Sequence, residues 1–306
     1  MPNHDHIMER NMENTEIKAS EHASNRRNAI LLGGAALAGA LFASKAHAAT
    51  ITDADILNFA LNLEYLEAQY YTIATTGMTL EQVGVMTSGG NGSAGGTVTV
   101  KAGAKVPFVT PFLQDFANEV AMDEQNHVNF LRGALGSSAV AQPNIDLLNS
   151  FNALAQASGL ASSFDPFANE TNFLLGAFIF EDVGVTAYQG AAGLISSKTY
   201  LDKAVGIHNV EAYHAASIRT RIYAAGPMVQ SISQTIAATR AKLDGTGNDD
   251  IGVGTSSSGA ATIVDNNAMG MTYARTTSQV LSIVYGGGKP GTGGAFFPNG
   301  LNGTIY

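Results

Sequence analysis

The chain of 306 residues contains no cysteine. This absence excludes disulfide bonds, thiol catalysis, cysteine-ligated zinc sites and iron–sulfur clusters. Charged residues are also scarce, at 13% of the chain, and the net charge of −9 comes without clusters of basic residues. An acidic protein of this composition is not expected to bind nucleic acid or an anionic membrane surface.

Long apolar runs are missing as well. The run "AILLGGAALAGALFA" is shorter than the ~20 residues that a membrane span needs. It follows Arg26 and Arg27 and precedes "AHA" at 46–48, which is the order of an export signal with a small-residue cleavage site. The paired arginines favour the twin-arginine route. We therefore predict cleavage after Ala48 and a periplasmic or secreted mature protein without a membrane span; an uncleaved membrane anchor is the alternative.

Histidine is scarce in the rest of the chain. Four of the seven histidines lie in the first 48 residues, which leaves 7 − 4 = 3, at His127, His208 and His214. Two of these three follow a glutamate by three positions, in "VAMDEQNHVNFLRG" (120–133) and "GIHNVEAYHAASIR" (206–219). Apolar residues recur at three- and four-residue spacing in both stretches, so each Glu–His pair shares the inward face of a predicted helix. For any one histidine, an ordinary core position is the alternative.

Two further predicted helices also place a glutamate on the apolar face. A buried carboxylate without a partner is costly or becomes neutral, so a core with four of them needs positive charge. Two divalent cations would supply +4 against the −4 of the carboxylates, and the two histidines would add neutral nitrogen ligands from the same helix faces. The sequence therefore predicts a dimetal site formed by Glu64, Glu124, His127, Glu181, Glu211 and His214.

The four helices repeat one unit, a helix with one glutamate followed by a helix with Glu-x-x-His. The two glutamates are 30 positions apart in the second half and 60 apart in the first half. Removing the 31-residue glycine-rich stretch 77–107 reduces the gap in the first half to 60 − 31 = 29. We therefore expect two halves that pack with pseudo-two-fold symmetry, joined by the connection 137–167.

This residue set resembles the ferritin-like carboxylate-bridged dimetal proteins, over about residues 52–225. More narrowly, the export signal, "EAYHAASIR" and "GGAFFPNG" resemble the exported desiccation-related branch of that superfamily. The resemblance implies an all-α fold, a ferritin-like four-helix bundle with a long crossover from the second to the third helix, a glycine-rich insertion and an irregular C-terminal extension.

The expected organisation is an export signal at 1–48, the bundle with a fifth helix at 49–243, and a glycine-rich linker with a docked extension at 244–306. Helices are predicted over 52–76, 107–135, 168–195, 199–225 and from there to about 243, with short helices at 144–157 and 274–285 and a small hairpin at 97–106.

By resemblance, Glu124 and Glu211 would bridge the two metals, Glu64 and Glu181 would be terminal ligands, and each histidine of the two motifs would bind through one ring nitrogen. Four other residues lie nearby on the same helices: Glu67, Tyr71, Tyr188 and His208.

These four residues have several interpretations. Glu67 is interpreted as a partner of a ligand, a replacement ligand, a carboxylate on an access path or a solvated residue. For Tyr71 and Tyr188, core packing is favoured over hydrogen bonds to ligands. His208 is interpreted as structural or as a partner of a ligand. No catalytic residue is assigned.

Hard oxygen and imidazole ligands favour iron or manganese over zinc, as two Fe ions, two Mn ions or a mixed pair. The resemblance implies chemistry on dioxygen or hydrogen peroxide. We expect an exported dimetal protein that acts in oxidative or desiccation stress, by peroxide consumption or by Fe(II) oxidation. The alternative is an exported stress-protective scaffold without turnover. Either protein is compatible with a homo-oligomer.

Overall fold

The computed structural model describes residues 50–247 and 249–306. The predicted export signal, residues 1–48, lies outside the described residues. The described part contains seven α-helices: α1 (Asp53–Thr76), α2 (Pro111–Leu135), α3 (Asn149–Ala157), α4 (Glu170–Ala192), α5 (Lys198–Ala224), α6 (Pro227–Asp244) and α7 (Thr277–Val284). The predicted all-α fold class is therefore confirmed.

Local sequence signals set the helix ends. The α1 helix begins with a capping box, because the Thr52 hydroxyl accepts a hydrogen bond from the Asp55 amide and the Asp55 carboxylate accepts one from the Thr52 amide at 2.8 Å. It ends at Gly77, whose φ of 77° suits a residue without a side chain. The α2 helix begins at Pro111, four residues later than predicted. Proline is well tolerated in the first turn of a helix, and both residue 107 and residue 111 are prolines.

The bundle consists of two helix pairs, α1 with α2 and α4 with α5. The first pair is antiparallel, since Tyr65 of α1 accepts a hydrogen bond from Arg132 near the end of α2, while Thr72 of α1 accepts one from Gln125 nearer the start of α2. Only residues 193–197 connect α4 to α5. The connection from α2 to α4 is long and contains α3, as the predicted crossover requires.

The helices differ in how much of their surface is buried. The α1 and α4 helices are buried on almost every face, whereas α2 and α5 bury only one face. The C-terminal extension covers part of the outer side of α1 and α4. Phe296 packs edge-on against Phe151 of α3 and Phe180 of α4, and Asn302 exchanges hydrogen bonds with Asn62 of α1. Both helices that carry a lone glutamate are thus core helices.

The predicted hairpin at 97–106 is wrong. Strand β1 (Val98–Thr99) pairs in parallel with β2 (Ile145–Asp146), which lies in the crossover. Alternating residues predict an extended segment but not its partner. A close contact reinforces this pairing, because a Cβ atom at Gly96 would lie 2.4 Å from the carbonyl carbon of Pro143. The glycine-rich insertion is therefore held against the crossover.

The proposed division at residue 244 stays a prediction. The segment expected to be a linker packs on the bundle through buried ion pairs. The Asp250 carboxylate lies 2.7 Å from Arg240 of α6 and 2.9 Å from Arg275, and Arg240 also contacts Asp182 of α4 at 2.8 Å. Within residues 50–247 and 249–306, no helix is both long enough and apolar enough to cross a membrane.

Candidate metal centre

Four glutamates meet in the interior of the bundle. Glu64, Glu124, Glu181 and Glu211 come from α1, α2, α4 and α5, and none is more than 1% exposed. Each lies near the middle of its helix on the face that packs against the other three. The same periodicity that buries leucine and isoleucine thus places a carboxylate at the same level of all four helices.

The two histidines approach these carboxylates with one ring nitrogen each. His127 Nδ1 lies 3.2 Å from Glu64 Oε2 and 3.2 Å from Glu124 Oε2. His214 Nδ1 lies 3.1 Å from Glu124 Oε1 and 3.4 Å from Glu181 Oε2. The spacing of three residues gives each histidine the same helix face as its glutamate, one turn away.

The ligand atoms form two overlapping groups, and within each group they lie within 4.8 Å of one another. One group is Glu64, Glu124, His127 and Glu211; the other is Glu124, Glu181, Glu211 and His214. Every group contains one histidine and one glutamate of its own, and both groups share Glu124 and Glu211. The structure thus brings all six predicted residues together. Their roles as terminal and bridging ligands stay predictions.

The chemistry of this cluster fits a pair of divalent cations. Five carboxylate oxygens of the cluster are fully buried without a hydrogen-bond partner among the described residues: Glu64 Oε2, Glu124 Oε1, Glu181 Oε2 and both oxygens of Glu211. In the part of the chain that the structure describes, no lysine or arginine nitrogen lies within 4.0 Å of these groups. The two nearby histidine rings supply at most two positive charges against four carboxylates. Buried charge that is not fully compensated is costly, so this cluster favours the binding of further cations.

The histidines are protonated when no metal is bound. Burial disfavours the charged ring, but the carboxylates of Glu64 and Glu124 outweigh it and raise the pKa of His127 to about 11. Burial is likewise outweighed by Glu181 and Glu124, which raise the pKa of His214 to about 12. Burial also raises the pKa of Glu64 to about 7, although His127 opposes the shift. Metal ions must therefore displace protons to bind.

Two tyrosines bind Glu64 and Glu181 from the opposite half of the bundle. Tyr71 of α1 donates a hydrogen bond to Glu181 of α4, and Tyr188 of α4 donates one to Glu64 of α1. Burial raises the pKa of both phenols well above the usual value, so both remain donors. Core packing, the role that the sequence favoured, is thus accompanied by hydrogen bonds to the cluster. The sequence feature that indicates these two tyrosine–glutamate hydrogen bonds is a Glu-x₆-Tyr repeat, which occurs on both α1 and α4.

Two residues of the site were not predicted from the sequence, Asp123 and Gly184. Asp123 Oδ2 lies 3.3 Å from Nε2 of His214, the ring nitrogen that faces away from the cluster, and a carboxylate at this position orients the ring of a ligand. Gly184 makes room for Glu211, because a Cβ atom there would lie 2.2 Å from Glu211 Oε2. Gly184 stands three positions after Glu181, where the matching helix of the other half carries Glu67.

Glu67 is 5% exposed, so its interpretation as a solvated residue is wrong. Its Oε1 would lie 3.3 Å from a Cβ atom at Gly184, which places it beside the cluster on the side of Glu211. Burial and the carboxylates of Glu124 and Glu64 raise its pKa well above the usual value. Glu67 belongs to neither group of ligand atoms, and its remaining interpretations stay predictions.

His208 is half-buried and also lies outside both groups. Its Nε2 has no hydrogen-bond partner among the described residues, and burial lowers its pKa. A structural role or a role as a partner of a ligand stays a prediction.

A family model of the ferritin-like domain matches residues 52–224, the segment that contains all six cluster residues. The chain belongs to the ferritin-like domain family. This result confirms the resemblance seen in the sequence, and it agrees with the glutamates and Glu-x-x-His motifs on four helices.

Two curated relatives indicate to which branch of the ferritin-like family the chain is similar. The ferritin-like chain is 25% identical over 269 residues to the ferritin-like catalase Nec2 of Nesocodon mauritianus, covering 83% of this chain and 84% of the relative. It is 28% identical over 214 residues to the desiccation-related protein PCC13-62 of Craterostigma plantagineum, covering 66% of each protein. No solved structure matches the chain significantly. The predicted desiccation-related branch is thus confirmed.

Replacing Gly184 with alanine tests the packing of the ferritin-like centre. The new methyl group would collide with Glu211, so we expect Gly184→Ala to lower metal content per chain, measured by elemental analysis, while helicity stays unchanged. Gly206→Ala on α5 is the matched control, because nothing lies within 4 Å of its Cβ position. It should keep the metal and gain about 0.5–1 kcal/mol of stability. Equal metal content in both variants would show that the clearance at Gly184 is unimportant.

Metal binding should strengthen as pH rises. Because the pKa of His127 is raised to about 11 and that of His214 to about 12, both rings carry a proton at pH 7 that a metal ion must displace. Affinity should rise roughly tenfold per released proton for each pH unit. Calorimetric titration with Mn(II) in two buffers of different ionisation enthalpy measures the release. We expect at least two protons per pair of ions, and the same number in the control His208→Gln. Uptake without proton release would disprove this electrostatic description.

Proposed function

We propose that this chain is a dimetal oxidoreductase that consumes hydrogen peroxide. The observation that carries the proposal is the pair of overlapping ligand groups, each with its own histidine, buried without a counter-charge from lysine or arginine among the described residues. A relative named a ferritin-like catalase, aligned over most of both chains, supports peroxide as the substrate.

In this proposal Glu64 and His127 would hold one ion and Glu181 and His214 the other, while Glu124 and Glu211, which belong to both ligand groups, would be available to both ions. Carboxylate oxygens with imidazole favour two Fe ions, two Mn ions or a mixed pair. When bound, such a pair supplies two-electron chemistry on peroxide or dioxygen.

The chain itself sets a low-dielectric environment and controls protons around that pair. All four cluster glutamates are buried, so charges there act in a low-dielectric environment. Tyr71 and Tyr188 keep their protons and donate to the outer carboxylates, which fixes the orientation of those ligands. Asp123 holds the ring of His214 from behind.

Oxidation of Fe(II) is the second candidate reaction for this dimetal centre, since iron accepts the same ligands. The relative named a desiccation-related protein supports a role in stress, which suits either an enzyme or a protective scaffold. The unpaired carboxylates favour the enzyme, because a scaffold gains nothing from a buried cluster of like charges.

Export belongs to the same proposal and is supported by Arg26 and Arg27 ahead of a short apolar run. We expect Arg26→Lys/Arg27→Lys to leave the protein in the cytoplasm of a host with a twin-arginine pathway, whereas the control Arg10→Lys is exported. Immunoblots of cell fractions measure the distribution. Export of both variants alike would contradict this route.

Peroxide consumption is tested with metal-loaded protein and an oxygen electrode. The wild type should release one O₂ for every two H₂O₂ consumed. Glu124→Gln/Glu211→Gln removes both shared carboxylates at nearly constant volume and should lower the rate by at least about 100-fold, since removing even the partners of metal ligands costs about 10–100-fold. Glu119→Gln, on the exposed face of α2, is the matched control.

Three other outcomes are distinguishable. Metal-loaded protein that oxidises Fe(II) but leaves peroxide intact would replace the catalase version with the ferroxidase version. A well-folded protein that binds neither Fe(II) nor Mn(II) would leave the scaffold as the better description. Unchanged turnover in the double variant would place the reaction elsewhere.

A further inference from the structure

A small cavity adjoins the cluster on the side of Glu67. It has a volume of about 20 Å³ and lies between α1, α4, α7 and Phe296 of the C-terminal extension. Among the described residues, Glu67 is the only charged group in its wall, and the other side chains there are apolar. A volume of ~10–15 Å³ is enough for one water-sized molecule, so this Glu67 cavity accepts a molecule of that size.

The inner end of the Glu67 cavity reaches the cluster through Gly184. Gly184 lines the cavity, and the position of its absent Cβ lies 2.2 Å from Glu211 Oε2 and 3.3 Å from Glu67 Oε1. Glu67 itself lines the cavity, whereas Glu211 lies behind Gly184. Because residue 184 has no side chain, only its backbone stands between this part of the cavity and the Glu211 carboxylate.

A second, larger cavity shares part of its wall with the Glu67 cavity. This outer pocket has a volume of about 280 Å³ and lies between α3, α4, α6 and α7. Its wall is mainly apolar, and it includes Leu160 and Met228, which are 37% and 78% exposed, so the pocket opens at the surface. Ile179 and Ile283 line both cavities. These two side chains therefore separate the surface pocket from the Glu67 cavity.

We propose that this chain of cavities is the route by which a small uncharged oxidant, hydrogen peroxide or dioxygen, reaches the centre, with Ile179 and Ile283 as its gate. The proposal rests on the proposed function and names the substrate class that the route admits. Exposed side chains change rotamer within ps–ns. Ile179 and Ile283 are buried, so their rotamer changes are more restricted and they limit the passage of a molecule more than exposed side chains would.

Charge and size both select at this gate. A hydrated cation would lose its water against apolar walls at a high free-energy cost, so Fe(II) is not the molecule that passes here. The outer pocket is large enough for an organic hydroperoxide, but the Glu67 cavity of about 20 Å³ is not. The route thus admits the small oxidant of either version of the function, hydrogen peroxide or dioxygen, and excludes bulky peroxides.

The test combines variants that close and open the gate. Ile179→Phe and Ile283→Phe fill the gap between the cavities, and Ile283→Ala widens it. Ala216→Phe is the control, because Ala216 lines a different cavity of about 70 Å³ beside Asp265. Metal content, circular dichroism and the second-order rate constants with H₂O₂ and with cumene hydroperoxide are measured for each variant.

We expect each Phe variant at the gate to bind both metals normally and to react with H₂O₂ about tenfold more slowly, which corresponds to a barrier higher by about 1.4 kcal/mol. Ile283→Ala should react with H₂O₂ at least as fast as the wild type, while cumene hydroperoxide, which is too bulky for the Glu67 cavity, should stay unreactive. The control should match the wild type with both peroxides. Wild-type rates in the Phe variants at the gate would overturn the route. A control variant that reacts more slowly than the wild type would also overturn it, as would a gate Phe variant whose slower reaction is explained by a loss of bound metal.

Xenon binding separates this route from the proposed function. Crystals of metal-free protein under xenon pressure should show xenon in the outer pocket and in the Glu67 cavity of Ile283→Ala, and only in the outer pocket of Ile283→Phe. This readout needs no turnover, so it decides the route even if the wild type fails to consume peroxide. Xenon confined to the outer pocket in Ile283→Ala would show that the two cavities do not communicate.

Discussion

The burial of four carboxylates at one level of a helical bundle is the constraint on which the rest of the structure depends. None of the four is more than 1% exposed, and the described arginines that are buried pair elsewhere, as Arg219 and Arg240 do with Asp182. Protons on His127 and His214 compensate part of this charge when no metal is present. A pair of divalent cations compensates it more completely, and so the same charges that would destabilise an empty core create affinity for metal.

The α1 and α4 helices of the two halves meet this constraint in the same way, apart from one exception. Each half supplies a lone glutamate, a Glu-x-x-His motif and a tyrosine that crosses to the other half. The exception is the pair of equivalent positions occupied by Glu67 and Gly184. One half has an extra carboxylate there, and the other has no side chain at all. This difference opens one side of an otherwise symmetric centre, and the Glu67 cavity lies on that side.

Much of the fold and the cluster could be predicted from local patterns. Helical periodicity and capping residues located the helices, and two Glu-x-x-His motifs located the site, because a residue's helix face follows from its spacing. Features that depend on contacts between distant segments could not be predicted. The partner of Val98–Thr99, the ion pairs of Asp250 and the contact of Asp123 with His214 all join residues more than 20 positions apart or on separate elements, and no local pattern specifies such contacts.

The most direct test of the central claim is anomalous X-ray diffraction from crystals of residues 49–306, with data collected on either side of the iron and manganese absorption edges. Two metal ions inside the bundle are predicted, one beside His127 and Glu64 and the other beside His214 and Glu181. Protein that is well ordered after soaking in Fe(II) and Mn(II) but shows no anomalous density between these residues would contradict the account.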